Sequence, residues 1–404
     1  MIVAAGSTNA EGLLPTDDDT TARRGSELRV LLATNSTDRG STSRTLEGWL
    51  QPFREEGIHA TVTVGGPGPL MSALQQAGFP VCVRPLRVLP RRHWPFPFAN
   101  AVLRLAATAR RARAHIVHVN EHDHHPVAAH AAAIAGLPLV THLRFTVNDE
   151  YARWLFRRGR VPDRLLFTSL KQMRDSASAI EPVVPRDRWR LVSDGLDFSV
   201  WGSCAEEGRR LRQQWRLAEG TIAIGIACAI SARKRVDHFV RLIARMHGAG
   251  IPVHGFVAGR PHFPSDAGIL QNLEQLAATL GIQQHITFLG YVEPVEPLYH
   301  AWDICISTSA YETFGMSVLE AIACSRPVVT YPGGSIAEIV GDGAVVVGDA
   351  DEQALFDRCV LLARDPVVRA ELGAQGRRHA ETYDIRRIAR TLAREYRDVV
   401  GQRR

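Results

Sequence analysis

The chain has 404 residues, which is enough for two domains with full hydrophobic cores. Its hydrophobic fraction of 45% and charged fraction of 22% are ordinary for a globular protein, and no apolar run approaches the roughly 18 residues that span a bilayer. The net charge of +6 comes almost entirely from arginine, so it is weak evidence for nucleic acid binding and suits an anionic substrate or an anionic membrane surface equally well.

The N-terminal segment, residues 1–25, is rich in Gly, Ala, Thr and Asp and is predicted to be a flexible tail. It lacks the basic and apolar regions that make up a signal peptide. The six cysteines are scattered and have no C-x-x-C spacing, which favours reduced cysteines in a cytoplasmic protein.

The first half of the chain alternates β-branched strands with amphipathic helices. Leu28–Ala33 is followed by a small polar loop that contains Gly40 and then by a helix over residues 42–56. A strand, a Gly-containing loop and a helix form the opening unit of a doubly wound parallel sheet, which we predict for residues 26–200. The further strands of this sheet are predicted at residues 60–64, 81–84, 114–119, 138–142 and 165–168.

Residues 87–98 combine basic, aromatic and proline residues. One interpretation is a patch that touches a membrane or an amphipathic acceptor molecule. Because no long amphipathic pattern accompanies the segment, we favour a Pro-rich connector whose aromatic side chains pack onto the core.

A run of histidines follows the strand that ends at residue 119. Asn120, His122 and His124 lie in this run, at the carboxyl end of a predicted parallel strand, and ligands bind at that edge of such sheets. Dense His and Asp residues also occur in metal sites, but adjacent side chains on a turn point in different directions and no second cluster matches this one. We therefore predict that these residues line a cleft, and we predict no metal site.

The second half of the chain repeats the alternation, and we predict a second doubly wound sheet over residues 201–383. Its first strand leads into a loop that places Arg233 and Lys234 at the start of an amphipathic helix. Cations at a helix start oppose the helix dipole, and a bound diphosphate would resolve this conflict. Gly259 and Arg260 follow the next strand, where Gly259 is either a plain turn or a contact with a nucleotide.

Residues 307–343 are predicted to form a loop, a helix, a buried strand, a Gly-rich loop and a second helix. Glu312 in the loop and Glu320 on the helix bracket a helix N-terminus, whose free amides attract phosphate. With Glu320 accepting hydrogen bonds from vicinal hydroxyls, the arrangement would match a nucleotide diphosphate and ribose, and Glu312 would face the sugar of a nucleotide sugar. The alternative is that Ser317 and Glu320 form a capping box and that Glu312 is a solvated loop carboxylate.

The same stretch resembles the signature of glycosyltransferase family 4, in which S-x-x-E-x-F-G-x-x-x-x-E-A-x-A-C-G-x-P-V-V precedes G-G-x-x-E. Glu312 and Glu320 have the E-x7-E spacing of this signature, and Ser325 stands where the family usually has glycine. The resemblance covers the chain from about Leu28 to Tyr396 and is strongest in the second half. The matching positions are Ser309, Glu312, Phe314, Gly315, Glu320, Ala321, Ala323, Cys324, Pro327, Val328, Val329, Gly333, Gly334 and Glu338.

This resemblance implies an α/β protein with the GT-B fold, in which two doubly wound, Rossmann-like domains face each other across a cleft. The first domain, residues 26–200, would meet the acceptor and would be completed by a C-terminal helix within residues 384–404. The second domain, residues 201–383, would bind the nucleotide-sugar donor.

The resemblance also implies roles for individual residues. Lys234 would stabilise the leaving diphosphate, Glu312 would bind the sugar hydroxyls, and His142 would line the sugar pocket. Without the resemblance, a lone histidine at the end of a buried strand is more often a hydrogen-bonded structural residue. Ala229 replaces an arginine that is usual in the family, and Asp194 replaces a usual asparagine. Further donor-binding residues would be Gly40, Arg233, Gly259, Arg260, Phe314, Gly315, Met316, Ser317, Val318 and Glu320. The acceptor side would include Asn120, His122, His124 and Arg144.

The function implied is a retaining, metal-independent glycosyltransferase that needs no cofactor, because the nucleotide sugar is itself a substrate. A UDP-sugar is the expected donor, with a GDP-sugar as the alternative, and the acceptor is a hydroxyl of a glycan, a lipid-linked glycan or a small aglycone. Nucleic acid is not an expected partner. The alternative functions are a nucleotide-sugar epimerase of similar fold and a nucleotide-sugar-binding partner subunit without catalysis. We expect a cytoplasmic protein, with peripheral contact at the inner face of the membrane as a further option.

Overall fold

The structure is a computed structural model that describes residues 27–86, 96–157, 160–261 and 264–403. The predicted tail over residues 1–25 lies outside the described residues, as does most of the basic and aromatic segment, residues 87–95. Within the described ranges, no helix is both long enough and apolar enough to cross a bilayer.

Seven parallel strands form the first sheet. They are β1 (Leu28–Ala33), β2 (Ile58–Val64), β3 (Val81–Val83), β4 (Ile116–Val119), β5 (Leu139–Leu143), β6 (Arg164–Phe167) and β7 (Trp189–Leu191). Their order in the sheet is β3-β2-β1-β4-β5-β6-β7, with Val30 of β1 in register with Ala60 of β2 and Ile116 of β4. The order reverses direction between β1 and β4, and ligands of doubly wound sheets bind at the carboxyl ends of strands beside such a reversal.

Seven helices connect the strands of the first sheet or follow them. They are α1 (Ser41–Glu55), α2 (Pro69–Gln76), α3 (Phe96–Arg111), α4 (His125–Ala135), α5 (Asp149–Leu155), α6 (Leu170–Asp175) and α7 (Ala177–Ile180). The segment after β6 forms two short helices, α6 and α7, which meet at Ser176. The central strands β1, β4, β5 and β6 are buried on both faces because helices cover both sides of the sheet, which explains their largely apolar sequences.

Six parallel strands form the second sheet. They are β8 (Ile222–Ala227), β9 (Val253–Ala258), β10 (Ile286–Gly290), β11 (Ile304–Ser307), β12 (Val328–Thr330) and β13 (Val345–Val346), in the order β10-β9-β8-β11-β12-β13. The helices that precede, connect or follow them are α8 (Phe198–Trp201), α9 (Ala205–Trp215), α10 (Val236–Gly248), α11 (Ile269–Thr279), α12 (Glu296–Ala301), α13 (Met316–Ala323), α14 (Ile336–Val340), α15 (Glu352–Arg364) and α16 (Pro366–Ala380). The order reverses between β8 and β11. The prediction of two doubly wound parallel sheets is confirmed.

The last helix, α17 (Ile385–Gly401), returns to the first sheet. Its apolar positions recur every three or four residues, and Ile385, Leu392 and Tyr396 join the core beneath α1 and β1. The Tyr396 hydroxyl lies 2.5 Å from Nδ1 of His118 on β4. The chain therefore passes from the first sheet to the second and back again.

The carboxyl ends of the two sheets face each other, because polar contacts join the loops and helix starts that follow the strands of each. Ser169, after β6, donates a hydrogen bond to the carbonyl of Thr313, after β11, at 3.0 Å. The Glu338 carboxylate of α14 accepts from the Leu170 and Lys171 amides at the start of α6, at 2.8 and 2.9 Å. Further contacts join Arg39 with Glu293, Arg44 with Glu320, Thr146 with Tyr311, and Ser169 with Ser335.

Candidate functional site

A buried ion pair occupies the reversal point of the second sheet. Lys234 lies in the turn between β8 and α10, and Glu312 lies in the loop between β11 and α13. Nζ of Lys234 donates to Oε1 of Glu312, and each residue is only 9% exposed. Burial alone would raise the pKa of Glu312, but the Lys234 charge, aided by Ser309 and Arg233, holds that pKa below its usual range. The structure therefore brings together two of the three predicted catalytic residues.

The Gly-rich loop after β12 holds the Glu312 loop in place. The Glu312 amide donates to the Gly333 carbonyl at 3.2 Å, and the Ser335 amide donates to the Glu312 carbonyl at 2.8 Å. Gly334 has a φ of +66°, and a Cβ on it would lie 2.2 Å from the Glu312 carbonyl oxygen. Glycine is needed there because a side chain would push the two loops apart. The close approach that the Gly-Gly pair permits is thus with the loop of Glu312.

Helix α13 begins beside this pair, and its first amides have no partners within the helix. Its N-cap is Gly315, which has a φ of +102°, and a Cβ on it would lie 2.7 Å from Cδ1 of Ile336, so a side chain is excluded there. Ser317 lies in the first turn and not at the cap, and no side chain caps the helix. The alternative of a capping box between Ser317 and Glu320 is therefore wrong. The predicted residues Phe314, Gly315, Met316, Ser317 and Val318 all lie at this helix start.

Glu320 is almost fully buried at 3% exposure, and residues from both halves of the chain bind its carboxylate. Nη2 of Arg44, on α1, lies 2.5 Å from Oε1, and the Tyr299 hydroxyl of α12 donates to Oε2 at 2.8 Å. Burial raises the pKa of Glu320, and the Arg44 charge and the Tyr299 hydrogen bond partly oppose this rise. Neither partner of Glu320 was predicted from the sequence.

The other predicted donor residues lie around the same edge. Arg233 is partly exposed, donates to the Tyr311 carbonyl and lies 3.5 Å from Oε2 of Glu312. Arg260 is exposed and stacks over the Tyr291 ring, with 4.9 Å from its guanidinium carbon to the ring centroid. Gly259 and Gly40 lie at the carboxyl ends of β9 and β1, where Gly40 is the exposed N-cap of α1. Arg233 is thus a second cation beside Glu312, the carboxylate that pairs with Lys234.

The predicted acceptor-side residues form a buried network at the edge of the first sheet. Nε of Arg144 donates to the Asn120 carbonyl at 2.9 Å, its Nη1 donates to Asp194, and its amide donates to Nδ1 of His122 at 3.1 Å. All four residues are at most 4% exposed. Asp194, which departs from the family pattern, is therefore the counter-charge of Arg144.

The neighbouring histidines are buried as well. Nε2 of His124 lies 3.4 Å from Oδ1 of Asp123. His122 contacts Phe145 and Tyr151 edge to face, with ring centroids 5.7 and 5.8 Å apart, and burial lowers its pKa to about 4. Phe145 itself is 62% exposed. This edge therefore exposes Phe145, whereas His122 and His124 are buried.

His142 is fully buried in the first domain. Its ring stacks against Trp49 and His118 at centroid distances of 5.9 and 5.8 Å. Burial, reinforced by the nearby Arg144 charge, lowers its pKa well below 6.5, so the imidazole is neutral. This placement in the core does not support the predicted role of His142 at the sugar pocket.

Sequence reasoning also missed Glu121, which fixes the loop after β1. Its carboxylate accepts from the Thr34 hydroxyl at 2.7 Å, the Ser36 hydroxyl at 3.1 Å and the Asn35 amide at 3.2 Å. Its position at the carboxyl end of β4, beside the reversal point, is the signal that could have found it. Across the described ranges, no group of three or more His, Cys, Asp or Glu side chains could hold a metal ion.

Residues 221–365 match the family model of glycosyl transferases group 1. The chain is 28% identical over 233 residues to the D-inositol 3-phosphate glycosyltransferase of Rhodococcus erythropolis, covering 55% of this chain and 52% of that protein. It is 25% identical over 283 residues to the lipopolysaccharide core biosynthesis mannosyltransferase LpcC of Rhizobium leguminosarum bv. viciae, covering 64% and 78%. The chain spans about half the length of the first of these curated relatives.

Solved structures give the clearest likeness of the fold. The crystal structure of Anabaena Alr3699/HepE in complex with UDP and glucose superimposes with a TM-score of 0.78 at 22% identity, covering 91% of this chain and 99% of that one. This likeness confirms the predicted GT-B fold. The family model and the curated relatives support the predicted class of enzyme, a glycosyltransferase.

Proposed function

We propose that this chain is a retaining glycosyltransferase of family 4 that transfers a sugar from a nucleotide-sugar donor to a hydroxyl acceptor. The observation that carries the proposal is the Lys234–Glu312 pair beside the N-terminus of α13, at the reversal point of the second sheet. A cation and free helix amides attract a diphosphate, and a carboxylate beside them accepts hydrogen bonds from sugar hydroxyls. The complexes of HepE with UDP and with UDP-glucose support a UDP-sugar as the donor.

The proposed chemistry is electrostatic and uses neither a metal ion nor a cofactor. As the bond between the sugar C1 and the phosphate oxygen breaks, negative charge develops on the diphosphate, where Lys234 and the α13 amides stabilise it. Arg233 is the adjacent cation that takes the place of the arginine missing at Ala229. Glu312 holds the sugar hydroxyls, and its lowered pKa keeps it ionised at neutral pH.

Retention follows if the acceptor attacks the face that the phosphate leaves. The acceptor oxygen forms the new bond to C1, and the proton of its hydroxyl passes to the departing phosphate oxygen. No protein nucleophile takes part in this step, so the chain needs none. The exposed Phe145 ring, on the opposite edge, is the surface at which we place the acceptor. The relatives from Rhodococcus erythropolis and Rhizobium leguminosarum are named for an inositol phosphate and for the lipopolysaccharide core, which makes a polyol or a glycan the acceptor class to test first.

We place this activity in the cytoplasm. All six cysteines are free, as expected in a reducing compartment. Peripheral contact with a membrane through residues 87–98 stays a prediction, because most of that segment lies outside the described residues.

The first experiment is calorimetric titration of UDP, GDP, ADP and dTDP, and of their common sugars, without divalent metal. We expect one base to bind, and we expect Lys234→Met to lower the transfer or hydrolysis rate by about 10²–10³, the usual loss of one transition-state donor. Lys171→Met is the matched control, because Lys171 is the other lysine of the sequence and its exposed side chain pairs with Asp175 on the surface of α6.

Thermal unfolding separates lost chemistry from lost folding, because Lys234→Met also leaves a buried carboxylate with fewer partners. A well-folded protein that binds none of the four nucleotides would overturn the proposal. Binding without turnover for any acceptor would instead favour a partner subunit that has lost catalysis.

A further inference from the structure

The carboxylate of Glu320 is held from both sides of the cleft. Glu320 and Tyr299 belong to helices of the second sheet, whereas Arg44 belongs to α1 of the first. Arg44 reaches Oε1 at 2.5 Å and Tyr299 reaches Oε2 at 2.8 Å, so each oxygen has one protein partner. An ionised carboxylate offers about four acceptor positions, which leaves room for roughly two more hydrogen bonds. Two vicinal hydroxyls of a ribose would fill these remaining positions.

Arg44 makes its hydrogen bond to Glu320 although another nitrogen of its guanidinium stays without a partner in the part of the chain that the structure describes. Its Nε is buried and has no hydrogen-bond partner among the described residues, although its guanidinium also lies over the Trp201 ring at 5.9 Å. A buried donor without a partner costs free energy and needs an explanation. We attribute the placement of Arg44 to its ion pair with Glu320 across the cleft.

Arg44 is the cation in an environment that otherwise disfavours a charge on Glu320. The groups that face this carboxyl are Tyr299 and Glu296 of α12 and Cys324 at the end of α13, with Cys305 of β11 behind Tyr299. Burial raises the pKa of Glu320 most, and the Glu296 charge raises it further; the Arg44 charge lowers it, and so does the Tyr299 hydrogen bond to a smaller extent. Without the Arg44 charge the pKa of the buried carboxyl would rise further, which favours its protonated form, and a protonated carboxyl accepts fewer hydrogen bonds.

We propose that Arg44 is a positioning residue through which the first domain completes the ribose site of the second: it keeps Glu320 ionised and aimed while the nucleotide is bound. This inference rests on the proposed function. It makes nucleotide affinity depend on the contact between the two domains, because the carboxylate that receives the ribose is prepared by an arginine from the opposite side of the cleft.

The test measures the Kd of UDP by calorimetry for the wild type, Arg44→Met, Arg44→Lys and Glu320→Gln, each at pH 6 and pH 8.5. We expect Arg44→Met to weaken binding by about tenfold or more at pH 6, as for the loss of a charged hydrogen-bond partner. Because a higher pH favours the charged form of Glu320, part of the affinity should return at pH 8.5. The ratio of variant to wild-type Kd at each pH cancels the titration of the diphosphate itself.

Three comparisons isolate the ribose. With 2′,3′-dideoxyuridine diphosphate, Arg44→Met and the wild type should bind alike, because the hydroxyls that Glu320 accepts from are missing. In a Glu320→Gln background, Arg44→Met should add little further loss and no pH dependence. Arg39→Met is the matched control, because Arg39 also pairs across the cleft, with Glu293 at 3.0 Å, but does not touch Glu320.

Each outcome has one meaning. If Arg44→Met binds UDP as well as the wild type or more tightly, Arg44 competes with the ribose or is irrelevant to it, and the inference is overturned. If Arg39→Met loses as much affinity as Arg44→Met, general loss of domain contact explains the effect and the inference again fails. If the wild type binds no nucleotide, the proposed function fails first. Arg44→Lys, which keeps the charge, should recover much of the affinity, so the test does not depend on the folding of a single variant.

Discussion

The two facing sheet edges have the same strand topology, but they differ in how far their charged side chains are buried. At the second edge, the predicted site residues are ions held in reach of the cleft: Lys234 pairs with Glu312, and the partly exposed Arg233 lies beside them. At the first edge, the predicted residues are sealed in the core, where Arg144 is neutralised by Asp194. Equivalent places in a doubly wound sheet thus became a charged site in one half and a packed wall in the other.

The largest shifts in the pKa of buried histidines lie in the first half, although burial also lowers the pKa of His254 and of His300 in the second half. Burial lowers the pKa of His118 to about 3 and those of His122 and His125 to about 4, and it lowers that of His142 as well. These imidazoles of the first half are therefore neutral when folded. In the second half, by contrast, Glu312 stays charged despite its burial. We infer that the first edge supports and shapes the cleft, whereas the second supplies its charge.

The largest expected consequence is that the first half is the more acid-labile of the two. A histidine whose pKa is lowered by folding contributes stability that is complete above its unfolded pKa of about 6.5 and is lost as the pH falls towards the folded value. By pH 5 the lowered pKa values of His118, His122 and His125 should each reduce the free energy of unfolding by about 2 kcal/mol, or on the order of 6 kcal/mol together. Urea denaturation at pH 8, 6.5 and 5 measures the loss, and amide hydrogen exchange locates it.

His118→Gln should flatten this pH dependence, since it removes one buried imidazole. His59→Gln, which changes an exposed histidine of β2, is the control and should leave it unchanged. Equal stability at pH 7 and pH 5, or faster exchange in the second sheet on acidification, would contradict the contrast between the two halves.

The fold was predictable because buried parallel strands are short β-branched runs between helices. Leu28–Ala33 has the predicted bounds. The neighbourhood of Lys234 and Glu312 was also predictable, since both follow strands of one sheet edge, although the chain separates them by 78 positions and gave no sign of a direct pair.

Contacts between the halves could not be predicted from local patterns. Arg44 and Glu320 are 276 positions apart, and their meeting depends on how the two sheets face each other. The structure does not support the predicted pocket role of His142, and the sequence could not have shown this because every residue of β5 is buried, so the alternation of side chains does not distinguish a cleft residue from a core residue. Asp194 replaces the asparagine that is usual in the family, and its ion pair with the buried Arg144 explains a carboxylate at this position.

The next expected effect tests whether the first edge is structural. Arg144→Met should lower the free energy of unfolding by roughly 3–5 kcal/mol, because it leaves Asp194 buried without its cation. The double variant Arg144→Met/Asp194→Asn should recover a large part of that loss. Arg186→Met, which breaks the exposed pair with Glu181, is the control and should be close to neutral.

Measuring nucleotide affinity in the same variants shows whether the first sheet edge has a structural role or belongs to the donor site. If Arg144→Met remains folded at low temperature and binds UDP as the wild type does, the first edge acts through packing. A loss of UDP affinity far larger than the loss of stability would place Arg144 in the donor site and would end the division of roles drawn above.

The smallest expected effect concerns the contact that joins the two edges. Glu338 receives the Leu170 and Lys171 amides with one oxygen each, so Glu338→Gln keeps a single acceptor oxygen and loses the charge that favours a helix start. We expect a loss of about 1 kcal/mol in unfolding free energy, and Glu371→Gln, an exposed glutamate of α16, should show none. Because Ser169, beside these amides, also binds the Thr313 carbonyl next to Glu312, weakening this contact should raise the KM for the donor more than it lowers kcat. A change in kcat alone would mean that the two edges are not coupled through α6, and that the geometry of the Lys234–Glu312 site does not depend on its contact with the first sheet edge.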